Sequence, residues 1–309
     1  MTTTLLPADT RRGQQLAAAS LRLALRTLVK PMFHPAVPVA VLRRGLRLSA
    51  LTTLTARGVE RSVVSLNGVP TEYLHVPDTA QPARALLYLH GGAYVVGGPG
   101  THRALTSHLA RASGAGVFVV DYRLAPEHPF PAAQDDAVTA YQSLLAQGYA
   151  PENIVIGGDS AGGGLTLSTA LRLRDSGLPL PAGLILISPW ADLTHPAAHH
   201  AEQPDDVMLS WRTLEHAADL YAPARRELPY VSPLRADLRG LPPCLTIGAT
   251  DEILADDTLR LTEALAAAGV AHHTCIYQQM WHVFAVHAGV LSSADDAIAR
   301  MATFIQRGL

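Results

Sequence analysis

The chain has 309 residues, 48% of them hydrophobic and 16% charged, with a formal net charge of −2. That length can bury a large core, and the near-neutral balance gives no global reason to bind nucleic acid. Two cysteines, Cys244 and Cys275, both in apolar strand-like runs, exclude a disulfide scaffold; buried free thiols and a reducing, cytoplasmic compartment are the expectation.

Residues 12–30 have the spacing of an amphipathic helix, with Leu16, Leu21, Leu25 and Leu28 on its apolar side, and Pro31, Pro35 and Pro38 end it. Arg22 and Arg26 interrupt the apolar stretch, so it reads neither as a secretory signal nor as a bilayer span, and no stable membrane insertion is expected. Residues 1–59 hold nine basic side chains against one acid, Asp9. A solvated helix face is the plainer reading of that charge, and a membrane-facing surface the alternative.

From about residue 60 short β-rich runs alternate with helical patterns. Strands are expected at 61–66, 71–75, 85–89, 117–120, 154–156, 184–187, 244–247 and 274–277, and helices at 101–112, 133–146, 161–176, 257–268 and 295–305. Several strands are continuously apolar, as in a sheet covered on both faces. The alternation predicts an α/β architecture with a mostly parallel eight-stranded sheet flanked by helices. Residues 1–58 and an insertion at about 192–235 fall outside this rhythm. They are expected to form a helical cap over the carboxyl edge of a catalytic domain spanning 59–309.

The run Gly158-Asp159-Ser160-Ala161-Gly162 lies between a strand and a helix, the context a nucleophilic serine requires. A side chain at Gly158 or Gly162 would collide across so tight a turn, and Ser160 must take a strained backbone conformation that presents its hydroxyl. A phosphate-binding loop would need a Lys-Ser/Thr pair, which is missing. Upstream, His90-Gly91-Gly92-Ala93 follows an apolar strand, so the N–H groups of Gly91 and Gly92, with that of Ala161, are candidates for an oxyanion hole. His90 is read as a brace for that loop.

A serine needs a base, and the base a carboxylate, in the chain order Ser, acid, His. His272 and His273 open the last strand at its wrong end, and His287 lies in the next helical segment. His282 closely follows that strand and is the expected base. Asp251 leaves the carboxyl end of the preceding strand and is the expected acid; Glu252 is expected to point elsewhere, and Asp256 and Asp257 to begin a helix.

Together these motifs resemble the hormone-sensitive-lipase-like family of bacterial esterases. The likeness also rests on Asp121-Tyr122-Arg123-Leu124-Ala125-Pro126-Glu127-His128-Pro129, Ser188-Pro189-Trp190, Val231-Ser232-Pro233-Leu234 and Asp251-Glu252-Ile253-Leu254-Ala255-Asp256-Asp257. The stretch 121–133 is read as structural, with Arg123, Asp121 and Glu127 satisfying one another. Ala93 replaces the family's third glycine, and His282-Val283-Phe284 its usual His-Gly-Phe. The resemblance implies an α/β-hydrolase fold and a carboxylesterase with a Ser160–His282–Asp251 triad and an acyl-enzyme intermediate. Short- to medium-chain esters are the expected substrates, with Tyr94, Leu209, Trp211, Val283 and Phe284 lining the pocket. Neither metal nor organic cofactor is expected, and the expected partner is a small-molecule ester, with a homodimer left open. A lipase for longer chains is the alternative reading; a non-catalytic ligand-binding homologue is disfavoured by His282.

Overall fold

The computed structural model describes residues 2–50, 53–77, 82–194 and 206–309. Its centre is a sheet of β1 (Thr2–Leu6), β2 (Glu60–Leu66), β3 (Val69–His75), β4 (Ala85–Leu89), β5 (Gly116–Val120), β6 (Ile154–Asp159), β7 (Gly183–Ile187), β8 (Cys244–Ala249) and β9 (His272–Tyr277). The spatial order is β1-β9-β8-β7-β6-β4-β5-β3-β2, and β3 alone runs against the rest. All eight expected strands form. The ninth, β1, pairs in parallel with β9 from Thr2↔His273 to Leu6↔Tyr277, so residues 2–6 belong to the sheet and not to the cap segment in which they were expected.

The central strands β4 to β8 are buried along their whole length. Their alternate side chains feed two cores. Leu87 and Leu89 of β4 pack with α4 (Ala132–Ala146) and α5 (Ala161–Asp175), whereas Leu86 and Tyr88 pack with α3 (Pro99–Ser113) and α8 (Ser292–Arg307). Burying one such leucine contributes roughly 1.5–3 kcal/mol, so a sheet with two covered faces needs no alternating polar pattern. Cys244 and Cys275 are buried free thiols.

The expected 12–30 helix divides. The regular part is α1 (Arg12–Ala24); a wider π-helical turn, Leu25–Val29, and a tight turn, Lys30–Phe33, carry the chain into α2 (Val39–Ser49). Across the sheet's carboxyl edge, α6 (Trp211–Tyr221) meets this segment where the Thr213 hydroxyl donates to the Phe33 carbonyl at 3.0 Å. Three further ties hold the N-terminal helices to the body. Arg22 pairs with Asp251 at 2.7 Å, Lys30 Nζ donates to the Asp206 carbonyl at 2.5 Å, and Arg43 grips Glu127 at 2.7 Å. Within the 121–133 stretch the expected mutual pairing therefore does not form: Arg123 binds Asp136 at 2.8 Å, and Glu127 reaches out to α2.

Candidate active site

Ser160 follows β6 and precedes α5, at φ 53° and ψ −121°. That backbone strain is held from both sides. Its N–H donates to the Ile187 carbonyl at 2.8 Å, and its carbonyl accepts from Trp190 N–H at 2.9 Å and Gly164 N–H at 3.1 Å. A Cβ on Gly162 would overlap the Leu89 carbonyl at the end of β4, and one on Gly158 would overlap the carbonyls of Leu89 and Gly162. The strand end, turn and helix start are thus packed backbone to backbone, and Ser160 is fixed in the wall of a mainly apolar cavity of about 340 Å³. His282, Gly91, Gly92 and Ala93 line the same cavity.

His282 sits in the loop after β9 and is almost fully buried. Its Nδ1 lies 2.8 Å from Oε2 of Glu252, a completely buried carboxylate whose Oε1 accepts from Ala249 N–H at 2.9 Å. Burial disfavours the charged imidazole, but the hydrogen bond and charge of Glu252 outweigh it and hold the pKa above its ordinary value. With Nδ1–H donated to Glu252, Nε2 is the nitrogen left to accept a proton.

Asp251, the expected acid, does not touch His282. One oxygen takes Arg22 Nη2 at 2.7 Å and the other the Thr250 hydroxyl at 2.7 Å, on a half-exposed face of the turn toward α1. Past the end of β8, Thr250 N–H still reaches the Tyr277 carbonyl and Asp251 N–H the Met280 carbonyl, so pairing with the β9 side persists and the following residue is the one turned inward. The Asp206 carboxylate then receives Ile253 N–H at 2.9 Å and secures that register. Two adjacent carboxylates left the register of this turn open in sequence, and the ion pair that occupies Asp251 comes from 229 residues away. His287 also lines the cavity, yet burial lowers its pKa to about 4 and no carboxylate is hydrogen-bonded to it among the described residues.

Of the three N–H groups expected to form an oxyanion hole, that of Gly91 already has a partner within the protein, donating to Asp159 Oδ1 at 3.0 Å. Gly92, Ala93 and Tyr94 follow with φ of 121°, 53° and 63°, and the Gly92 carbonyl accepts from Val95 and Val96. Among the described residues the N–H groups of Gly92, Ala93 and Ala161 find no acceptor within the protein. Consecutive left-handed residues of this kind leave N–H groups free to converge on an anion. Beneath them Asp159 also accepts from the Tyr88 hydroxyl at 2.7 Å and lies 3.2 Å from His102 Nε2. Burial opposes the charge on both Asp159 and His102; their mutual attraction wins, lowering the first pKa and raising the second. His90 braces the loop as expected: Nδ1 is 2.8 Å from the Gly91 carbonyl, and the ring stacks on Tyr122. Burial drives its pKa to about 3, so it stays neutral.

Of the expected lining residues, Leu209 and Val283 reach the cavity. Tyr94 stacks flat on Tyr221 at 3.7 Å, Phe284 packs on Tyr277 beneath the loop, and Trp211 begins α6 outside the cavity wall. Leu21, Leu25 and Leu28 from the α1 segment, Leu46 from α2 and Met208 take their place. The amphipathic spacing of Leu21, Leu25 and Leu28 was visible in sequence, but not the face they would turn to the sheet.

The family described as alpha/beta hydrolase fold matches residues 86–286, which hold every element of this site except the cap helices. The chain belongs to the α/β-hydrolase-fold family. This hydrolase is 42% identical over 228 residues to an acetyl-hydrolase of Streptomyces hygroscopicus, covering 73% of this chain and 76% of that protein. It is 36% identical over 288 residues to a putative acetyl-hydrolase, LipR, of Mycobacterium tuberculosis, covering 89% and 92%. Among solved structures, an esterase from the bacterial hormone-sensitive lipase family aligns with a TM-score of 0.87 at 36% identity, covering 97% and 99% of the two chains. The hydrolase is an ester-hydrolysing enzyme of this bacterial group.

Proposed function

We propose that the enzyme cleaves short- to medium-chain carboxylic esters through an acyl-enzyme, with Ser160 as nucleophile, His282 as base and Glu252 as the carboxylate that orients it. The observation that carries this reading is the 2.8 Å contact of His282 Nδ1 with a fully buried Glu252, on a ring that shares its cavity with a strained Ser160. His282 takes the Ser160 proton as the oxygen attacks the ester carbonyl. The resulting oxyanion is met by the N–H groups of Gly92, Ala93 and Ala161, each such donor contributing ~3 kcal/mol to lowering the barrier. His282 then protonates the departing alcohol. Water repeats the sequence from the other side and frees the acid, so every proton passes through one imidazole and no step calls on a cofactor.

Substrate size follows from the cavity. About 340 Å³ of mostly apolar space favours an acyl chain up to roughly eight carbons over a long lipid tail. Ser160→Ala tests the reading: the variant keeps its fold, loses hydrolysis of p-nitrophenyl butyrate, and no longer reacts with a fluorophosphonate probe that labels the wild type. Substantial turnover by folded Ser160→Ala protein would overturn the assignment.

A further inference from the structure

The two cap helices turn unusual faces to solvent. On α1, Leu16 is 62% and Leu23 64% exposed, and with Ala19 between them they form one stripe of helical spacing. Arg12 stands on the same stripe a turn before Leu16. On α2, Val41 and Leu48 are 55% and 66% exposed, with Arg44 between them on the same face. Neither helix contains a single buried residue. Among the described residues Arg12 and Arg44 have no carboxylate partner.

Charge singles out the same segment. Residues 1–59 hold nine basic side chains and one acid, a net +8, which leaves −10 for the remainder of a chain whose total is −2. A cationic surface studded with leucine fits an anionic amphiphile: basic side chains meet headgroups while the apolar ones enter the acyl boundary. Arg22 and Arg43 are paired with Asp251 and Glu127 of the body, but Arg12 and Arg44 carry no such partner among the described residues. Like charges on that face disfavour a second copy docked cap to cap.

We propose that the cap is a peripheral docking surface for anionic lipid bilayers, with α1 and α2 lying in the interface. Leu28 belongs both to the cavity wall and to the exposed surface, at 68% exposure, so the docked cap brings the cavity mouth to the lipid. That last point rests on the proposed active site; docking itself does not.

The test uses the full chain in co-sedimentation with vesicles of phosphatidylcholine alone or with roughly one-third phosphatidylglycerol. The protein is expected to sediment with the anionic vesicles, to stay in solution with the neutral ones, and to be released as NaCl rises from ~0.05 to ~0.5 M. Arg12→Glu/Arg44→Glu should weaken vesicle binding at least about 25-fold, on a scale of about fivefold per basic residue removed. Leu16→Ser/Leu23→Ser should also abolish sedimentation. Both double variants should hydrolyse a soluble butyrate ester like the wild type, which separates a docking defect from misfolding. Wild-type protein that ignores anionic vesicles, or variants that bind them equally well, would overturn the proposal while leaving the esterase reading intact. A salt-insensitive dimer that Leu16→Ser/Leu23→Ser dissociates would assign the face to self-association instead.

Discussion

At residue scale the choice between Asp251 and Glu252 concentrates the chemistry of the site. Glu252 is sealed from solvent with both oxygens engaged by the protein, whereas Asp251 spends its charge on Arg22 at the surface. Glu252→Gln keeps the shape and removes the charge that stabilises imidazolium, so kcat on p-nitrophenyl butyrate should fall by ~10,000-fold. Asp251→Asn breaks a partly exposed ion pair and should change kcat by less than about threefold. Equal losses in the two variants would refute the assignment. The pH profile carries the same logic. His282 works as a base only when neutral, and its pKa is raised, so kcat/KM should climb with pH through a midpoint above 6.5, the ordinary histidine value. In residual Glu252→Gln activity that midpoint should move down, because the group that raised it is gone. Sequence singled out Ser160 and His282, which line one cavity, because turn geometry demands glycines around Ser160 and strand order leaves one well-placed histidine. It could not separate two neighbouring carboxylates, since that depends on which side of a turn faces inward and on a distant arginine.

Elements explain why the proposed catalytic groups stay in register. Asp159, at the end of β6, receives Gly91 N–H from the loop after β4 and pairs with His102 on α3, so the Ser160 turn and the glycine loop share one buried carboxylate. The carboxylate's lowered pKa makes its contribution to stability present above the unfolded value and lost as pH falls through the folded one. Asp159→Ala leaves a buried His102 and Gly91 N–H without their acceptor and should cost about 3–5 kcal/mol of unfolding free energy. Its surviving activity should show a depressed kcat with KM little changed, because the role proposed for the loop is to hold the transition state more than the substrate. A stable variant with wild-type kcat would show that the shared carboxylate positions nothing. The same scale marks the limit of sequence reading. Continuous apolar runs announced β4 to β8, whose burial on both faces is written in their composition. The threonine-rich β1 carries no such mark; it becomes a strand only because the edge of β9 is there to pair with it. The helix expected over 12–30 gave no hint of its π-helical turn, which supplies Leu25 and Leu28 to the cavity.

For the whole molecule, the proposed ester preference rests on the cavity between the N-terminal helices and the sheet. The cavity is bounded below by the Ser160 turn and His282 and above by residues of α1, α2 and the segment before α6, and three polar ties join those upper elements to the body. An acyl chain entering it exchanges water for leucine and methionine side chains until the apolar wall is covered. Each methylene added within that limit should gain ~0.8 kcal/mol, a rise in kcat/KM of about fourfold, and beyond roughly eight carbons the rise should stop. A series of p-nitrophenyl esters from acetate to palmitate measures both the slope and the break. Docking of the cap on lipid would raise the local concentration of membrane-borne esters without changing that break, because the break is set by the cavity and not by the surface. Emulsified long-chain triglycerides, compared with butyrate esters at matched enzyme concentration, separate this enzyme from a lipase. Strong activation at the emulsion surface with little turnover of butyrate would mean that the ties clamping the cap open on lipid, and that this closed cavity is not the one that binds substrate.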